Sequence, residues 1–235
     1  MDVLFVGAGP AGLAGAIELQ RLAPELNIGV LEKSGSLGEH SLSGAVVNPA
    51  AFRELFPEMK DSDFPFRTPV SAEAVYLLTA ARAFQIPTPP TMHNSGYFTA
   101  SLCELVRWLG KQAESKGVNV FTGFPADALL VKDRGVVGVA TTPSGLDRNG
   151  QPGPGYTEAT DIASKVTVLT EGSRGLLAQA YLKWQGIRSQ NPQIFALGVK
   201  EVWETKRPLD RVVHTLGWPL PADAFGNTTP LRLLP

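Results

Sequence analysis

Residues 2–33 read DVLFVGAGPAGLAGAIELQRLAPELNIGVLEK, and this stretch decides the fold. A short apolar run at 3–6 is followed by a glycine-rich turn and then by the apolar periodicity of a helix. A second apolar run at 28–31 ends on Glu32, twenty residues after the third glycine. A strand, a G-x-G-x-x-G turn, a helix and a second strand ending on an acid form the dinucleotide-binding βαβ fingerprint. The turn itself is Gly7-Ala8-Gly9-Pro10-Ala11-Gly12.

Each glycine of this turn has a separate physical role in such a unit. Gly7 allows the tight turn after the strand, Gly9 lets the backbone approach a pyrophosphate, and Gly12 lets the helix lie close to the sheet. The N–H groups at the helix start then face the pyrophosphate, and Glu32 accepts hydrogen bonds from the ribose hydroxyls. A plain glycine-rich strand–helix turn is the alternative. The fingerprint does not separate FAD from NAD, but its position at the start of the chain favours FAD.

Composition narrows the possible functions. The 235 residues suffice for one large domain or for one domain with an insertion, and the formal net charge of −1 gives no indication of nucleic-acid binding. The single cysteine, Cys103, excludes an intrachain disulfide framework and an all-cysteine iron–sulfur site. The three histidines share no metal-ligand spacing, so we predict no metal site. No residue stands out as an acid–base catalyst, which is consistent with chemistry carried by a cofactor.

Helix and strand patterns alternate along the rest of the chain, which predicts an α/β fold with a Rossmann-like parallel sheet and a β-meander crossover. Residues 57–72 are expected to form an exposed connector and 143–156 a long loop, because both are rich in proline or glycine. The expected elements after residue 33 are a helix at 50–56, an amphipathic helix at 98–116, a strand at 118–122, a hairpin at 128–141, a strand at 165–170, a helix ending at 184, and strands at 195–204 and 212–218.

Several stretches taken together resemble the electron transfer flavoprotein–ubiquinone oxidoreductase family, which consists of FAD enzymes of the glutathione-reductase-like superfamily. The resemblance spans about residues 2–220, and LSGAVVNPAAFRELFP, ALGVKEVWE and HTLGWPL are the parts most particular to that family. The other matching stretches are GAGPAGLAGAIELQ, LVRWLGKQAESKGVNVFTGFPADALL, VVGVATTPSGLDRNGQP and VTVLTEGSRGLLAQ.

The resemblance implies a reaction: electrons pass from reduced electron transfer flavoprotein through FAD and a [4Fe–4S] cluster to ubiquinone at a membrane surface. It also implies a peripheral protein of the bacterial inner (cytoplasmic) membrane or the mitochondrial inner membrane, and we expect no targeting peptide in residues 1–235. Residues 39–60 are similar to the family's membrane-dipping segment, although their apolar side chains, Phe52 and Phe56 among them, could simply pack on the core. The FAD contacts implied are Gly7, Ala8, Gly9, Pro10, Ala11, Gly12, Glu32, Lys33, Ser43, Gly44, Ala126, Glu171 and Gly172.

The chain departs from the family in three ways. It lacks the cysteine-rich cluster module, so the [4Fe–4S] cluster and ubiquinone are expected only in full-length members. Phe225-Gly226-Asn227 replaces the Tyr-Gly-Gly turn of the quinone pocket, which leaves Gly226 as the candidate quinone contact. The later glycine-rich segment that closes over the flavin is also absent. The chain therefore resembles an N-terminal fragment.

These expectations give a domain assignment and leave alternatives open. Residues 1–185 are assigned to a FAD-binding domain with a helical or loop insertion at 45–95, and residues 186–235 to the incomplete beginning of a β-rich quinone or substrate domain. Two other functions remain: an NAD(P)H-dependent flavin reductase or monooxygenase of the geranylgeranyl-reductase type, and an inactive FAD-binding fragment. Glu171 could cap the helix that follows it or face the flavin.

Overall fold

A computed structural model describes residues 1–42, 44–206 and 209–228. The chain divides into two compact units. Unit 1 consists of Met1–Ser41 and Cys103–Gly198, and unit 2 of Leu42–Leu102 and the described part of Val199–Pro235. The domain assignment made from the sequence differs from this division and stays a prediction.

The regular elements are, in chain order, β1 (Val3–Val6), α1 (Pro10–Leu22), β2 (Ile28–Glu32), β3 (Ala45–Val47), α2 (Ala50–Leu55), β4 (Phe66–Pro69), β5 (Glu73–Leu78), β6 (Ala83–Ile86), β7 (Phe98–Ala100), α3 (Leu102–Ser115), β8 (Asn119–Thr122), β9 (Ala126–Lys132), β10 (Gly135–Thr141), β11 (Ser144–Leu146), β12 (Pro152–Thr157), β13 (Asp161–Ala163), β14 (Val166–Leu169), α4 (Leu176–Gln185), β15 (Val212–Gly217) and β16 (Phe225–Thr228). Two short 3₁₀ helices lie at Asp61–Asp63 and Pro90–Met92. Among the described residues, no helix combines the length and the apolar character needed to cross a membrane.

A four-stranded parallel sheet in the order β14-β1-β2-β8 forms the centre of unit 1. Strands β1 and β2 are apolar along almost their whole length and are buried, as expected for parallel strands that are covered on both faces. Helix α1 connects them and buries Leu13 and Ile17. The α/β class and the parallel sheet predicted from the sequence are therefore confirmed.

The predicted β-meander is also present in unit 1. Strands β9, β10 and β13 form an antiparallel sheet in the order β13-β10-β9. Val139 of β10 and Leu177 of α4 join Leu4, Val6 and Leu31 of the parallel sheet in one buried cluster. The meander and α4 thus share a core with the two strands that flank the glycine turn.

Three expected elements differ from the structure. Residues 98–116 do not form one helix, because 98–100 pair with β3 and β4 as strand β7 before α3 begins. The expected loop at 143–156 contains the two-stranded hairpin β11–β12. Residues 195–204 alternate as a strand would but contain no strand, and Leu197 is 96% exposed. An alternating sequence forms a strand only where a neighbouring strand supplies backbone partners.

Unit 2 contains two sheets, so residues 45–95 are not only helix and loop. The antiparallel sheet β3-β7-β4 stands beside α2, and a second sheet has the order β16-β15-β5-β6, in which only the β15–β5 pair is parallel. The predicted connector at 57–72 includes strand β4 and the buried side chains of Phe64 and Val70. The sequence pattern did not predict these strands, because the apolar stretches that form them are short, are interrupted by prolines and have no clear period.

Aromatic packing in unit 2 bears on the segment that resembles the family's membrane-dipping region. Phe56 is 0% exposed, and the ring of Phe52 packs edge-on against those of Phe64 and Phe66, at centroid distances of 5.4 and 5.2 Å. These two residues therefore pack on the protein, as the alternative interpretation of the sequence allowed. Leu42, in the same segment, is 55% exposed.

A buried polar cluster ties the loop before β7 to strands β5 and β15 of unit 2. The Glu73 carboxylate accepts hydrogen bonds from the backbone N–H of Asn94 at 2.7 Å and from its Nδ2 at 2.5 Å. His214 Nε2 lies 3.3 Å from Glu73 Oε1, and both side chains are less than a tenth exposed. Burial alone would raise the pKa of Glu73, but the Asn94 donors and His214 outweigh it and hold that pKa below its ordinary value of 4.5.

The Glu73 cluster predicts a loss of stability in acid. The pKa of Glu73 is lower in the folded than in the unfolded state. The ionised carboxylate therefore contributes fully to the free energy of unfolding above the unfolded-state pKa, and this contribution is lost as the pH falls through the folded-state pKa. We expect Glu73→Gln to lower the free energy of unfolding by about 1–3 kcal/mol at neutral pH and to reduce its decrease towards about pH 3. Urea denaturation at both pH values measures this. The control is Glu18→Gln, which removes an exposed ion pair with Arg21 and should change stability little. An unchanged pH dependence in Glu73→Gln would contradict the prediction.

The tight turn between β9 and β10 predicts a stabilising substitution. Asp133 and Arg134 have φ angles of +49° and +65°. A residue with a Cβ atom is strained in this left-handed region, whereas glycine is not. We expect the double variant Asp133→Asn/Arg134→Gly to raise the free energy of unfolding by about 1 kcal/mol, because Asn-Gly suits such a two-residue turn. Thermal denaturation tests this. Arg134→Ala is the matched control: it removes the same side chain but keeps Cβ, and an equal gain from it would show that the backbone conformation is not the cause.

Candidate cofactor site at the glycine turn

The glycine turn lies in unit 1 at the carboxyl end of β1, where the backbone leaves the sheet and enters α1. Gly7 has a φ of +104°, and its N–H donates to the Leu31 carbonyl at 2.9 Å. A Cβ atom on Gly7 would lie 2.6 Å from the Thr170 carbonyl oxygen, and a Cβ on Gly12 would overlap the Gly7 carbonyl. Packing inside the chain therefore requires glycine at both positions.

Gly9 is different, because nothing in the chain requires it to be glycine. Its φ of −75° and ψ of 179° suit any residue, and no heavy atom beyond its own neighbours lies within 4 Å of the position that a Cβ would take. The next two residues, Pro10 and Ala11, are exposed. The backbone at Gly9 thus borders open space of the kind that a closely bound pyrophosphate needs.

The acid of the fingerprint points towards this turn. Glu32 Oε2 accepts a hydrogen bond from the Ala8 N–H at 3.2 Å, and Oε1 accepts from the N–H and the Oγ of Ser34 at 2.9 and 2.7 Å. Ser34 is 5% exposed and Glu32 is half-buried. The carboxylate is therefore held in one orientation at the end of β2, as recognition of a ribose requires, and the Ala8 N–H is already engaged by it.

The turn that joins β14 to α4, at residues 171–175, has a structural role of its own. Glu171 Oε1 and Oε2 accept hydrogen bonds from the N–H groups of Leu177 and Ala178 at 3.2 and 2.8 Å, so Glu171 caps α4. Gly172 follows with a φ of +86° and no steric constraint from the chain. The capping role allowed by the sequence is confirmed, and a contact with flavin stays a prediction.

The remaining predicted contacts are distributed over both units. Ala126 begins β9 and packs against the core of unit 1, and Lys33 is exposed in the same unit. Gly44 belongs to unit 2, where its carbonyl accepts a hydrogen bond from Lys200 Nζ at 2.8 Å. Ser43 lies outside the described residues.

The candidate quinone contact has a structural explanation. Gly226 lies in β16 of unit 2, opposite Thr215 of β15. A Cβ at Gly226 would overlap the Thr215 Oγ1 atom, so cross-strand packing accounts for glycine there. A role in quinone binding stays a prediction.

Sequence reasoning missed one residue of the site. Thr170 follows β14, and its Oγ1 lies 2.9 Å from the carbonyl oxygens of both Val6 and Gly7. The signal in the sequence was a hydroxyl residue directly after a strand, but pairing of that strand with β1 is not visible there. In the part of the chain that the structure describes, no group of three or more His, Cys, Asp or Glu side chains could hold a metal ion.

Comparison with solved structures defines the class of fold. A geranylgeranyl bacteriochlorophyll reductase-like protein from Thermoplasma acidophilum superposes with a TM-score of 0.57 at 17% identity, over 92% of this chain and 50% of its own. Aklavinone-11 hydroxylase, solved with FAD and aklavinone, gives 0.52 at 21% identity over 77% of this chain and 34% of its own. The fold is that of the Rossmann-type flavoproteins that bind FAD. No protein-family model matches the chain.

Sequence comparison is more specific. The mitochondrial electron transfer flavoprotein–ubiquinone oxidoreductase of Dictyostelium discoideum is 40% identical over an alignment of 236 positions, which covers 97% of this chain and 39% of the relative. The Pseudomonas aeruginosa enzyme of the same name is 40% identical over an alignment of 241 positions, which covers 97% of this chain and 44% of the relative. Over almost its whole length the chain is thus similar to electron transfer flavoprotein–ubiquinone oxidoreductases. It spans about two fifths of the length of these curated relatives.

The contrast between Gly9 and Gly12 predicts two kinds of variant. We expect Gly9→Ala to lower the free energy of unfolding by at most about 1 kcal/mol but to weaken FAD binding about tenfold or more, because its methyl group occupies the space of the pyrophosphate. We expect Gly12→Ala to destabilise the protein by about 2 kcal/mol or more, because the backbone must move. Flavin fluorescence titration and thermal denaturation measure the two effects.

The control for both variants is Gly198→Ala. Gly198 is exposed, and no atom lies within 4 Å of its Cβ position, so neither stability nor affinity should change. A Gly9→Ala protein that binds FAD as tightly as the wild type would show that Gly9 does not face the cofactor.

Proposed function

We propose that unit 1 binds FAD at the glycine turn and that the chain is the FAD-binding part of an oxidoreductase. In this proposal the whole protein accepts electrons from reduced electron transfer flavoprotein and delivers them to ubiquinone. The observation that carries it is the open backbone at Gly9 beside a fixed Glu32 carboxylate, in a chain 40% identical to enzymes of that name.

The residues of the turn fit the adenine dinucleotide part of FAD. The N–H groups of Ala11 and Gly12 lie in the first turn of α1, where they have no partner within the helix, and the helix dipole favours a negative group there. Glu32 has two carboxylate oxygens with further acceptor capacity for ribose hydroxyls, beyond the bonds to Ala8 and Ser34. Its negative charge disfavours a ligand with a 2′-phosphate.

The proposal includes the other contacts predicted from the family resemblance. These are Pro10, Lys33, Ser43, Gly44, Ala126, Glu171 and Gly172, with Gly226 towards the quinone. Bound FAD would supply the electron-accepting ring, while this chain's residues bind and orient it. With one cysteine, the chain itself cannot supply the four thiolates of a [4Fe–4S] cluster.

The place of action is part of the proposal. Ubiquinone is dissolved in the membrane, so a protein that reduces it must work at a membrane surface. We propose a peripheral position on the bacterial inner membrane or the mitochondrial inner membrane. The relatives from Dictyostelium discoideum and Mus musculus carry "mitochondrial" in their names, which supports the second location for those proteins.

The test is reduction of the flavin by two different donors. The purified chain is saturated with FAD, and the loss of yellow flavin absorbance is followed after addition of reduced electron transfer flavoprotein or of NADPH. We expect reduction by electron transfer flavoprotein and none by NADPH. The Gly9→Ala variant, prepared in the same way, should retain less flavin.

Each other outcome contradicts a defined part of the proposal. Reduction by NADPH would favour a flavin reductase or monooxygenase of the geranylgeranyl-reductase type. Stoichiometric FAD without reduction by either donor would show an inactive FAD-binding fragment. Failure to bind FAD at saturating concentration would contradict the proposed cofactor itself.

A further inference from the structure

Thr170 approaches the glycine turn from outside the βαβ unit. It follows β14, more than 160 positions along the chain from β1, and its backbone N–H donates to the Val6 carbonyl at 2.9 Å. Its Oγ1 lies 2.9 Å from the Val6 carbonyl oxygen and 2.9 Å from that of Gly7. One hydroxyl proton is thus shared between the two carbonyl groups that begin the turn.

The peptide group between Gly7 and Ala8 is consequently held at both ends. Its carbonyl oxygen accepts from Thr170 Oγ1, and its N–H donates to Glu32 Oε2 at 3.2 Å. Rotation of a peptide plane is the easiest movement of a glycine-rich turn, because glycine tolerates a wide range of φ. In this turn a hydroxyl from one strand end and a carboxylate from another oppose that rotation.

The same hydroxyl also lies close to the first turn of α1. A Cβ on Gly12 would lie 2.7 Å from Thr170 Oγ1, so the helix backbone rests close to this oxygen. The N–H groups of this first turn therefore lie near Thr170. These are the donors that the proposed function assigns to the pyrophosphate.

We propose that Thr170 is a positioning residue of the cofactor site. It fixes the Gly7–Ala8 peptide so that the Ala8 N–H faces Glu32, and it thereby orients both the ribose acceptor and the N–H groups of the turn. This inference rests on the proposed binding of FAD. Thr170 does not itself touch the cofactor in this account; it acts through Gly7, Ala8 and Glu32.

The experiment compares three variants with the wild-type chain. Thr170→Val keeps the shape of the side chain but removes the hydroxyl, and Thr170→Ser keeps the hydroxyl but removes the methyl group. Thr167→Val is the matched control, because Thr167 lies in β14 and its hydroxyl bonds to Ser164 Oγ at 2.9 Å instead of to the turn. The measurements are the Kd for FAD, the melting temperature without ligand, and backbone amide hydrogen exchange over residues 7–13 and 126–141.

We expect Thr170→Val to bind FAD about five- to tenfold more weakly, because a change of this size corresponds to the loss of one hydrogen bond. Amide exchange over residues 7–13 should become faster without ligand, while exchange over 126–141 is unchanged. Thr170→Ser should restore both properties, and Thr167→Val should bind FAD as the wild type does. The local exchange effect distinguishes positioning from a general contribution to stability.

The contradicting outcomes separate this inference from the proposed function. Equal affinity and equal exchange in wild type and Thr170→Val would overturn the inference while leaving FAD binding intact. A lower melting temperature with faster exchange in both segments would show a merely structural role and would also overturn it. Absence of FAD binding by the wild type would contradict the proposed function, and the inference would fail with it.

Discussion

Close contact between the glycine turn and the end of β14 is the constraint on which unit 1 depends. Gly7 and Gly12 allow three backbone segments to approach one another closely: the exit of β1, the first turn of α1 and the residue after β14. At this point the parallel sheet, the crossover helix and the return of the chain after the meander become one structure. A Cβ atom at either glycine would separate them, so the packing of the fold and the shape of the candidate site have the same cause.

Three glutamates of this chain, Glu32, Glu73 and Glu171, are alike in accepting hydrogen bonds from backbone N–H groups. Glu32 accepts from the Ala8 and Ser34 N–H groups, Glu171 from the first N–H groups of α4, and Glu73 from that of Asn94. In each case a charged acceptor satisfies N–H groups that have no partner in a helix or a sheet, which strengthens the bond compared with a neutral acceptor. Of these three, Glu32 is the one that accepts from the glycine turn, where we propose that the dinucleotide binds.

The sequence predicted the parts of the fold that depend on local spacing. The turn from Gly7 to Gly12, the position of Glu32 and the β9–β10 hairpin follow from residues close together in the chain. The missed features depend on distant partners. Strand β7 exists because β3 and β4 flank it, whereas the alternating residues 195–204 have no such neighbour among the described strands. Thr170 was missed for the same reason, since only the β1–β14 pairing brings its hydroxyl to the turn.

The hydrogen bonds around Glu32 come from residues of the chain itself. Ordering a flexible carboxylate costs conformational entropy when a ligand must impose the order, but Ala8 and Ser34 impose it during folding. If a dinucleotide binds here as we propose, it would meet a carboxylate that is already oriented, and more of the interaction energy would remain as affinity. Association would then proceed close to the rate of encounter, without waiting for a rearrangement of the turn.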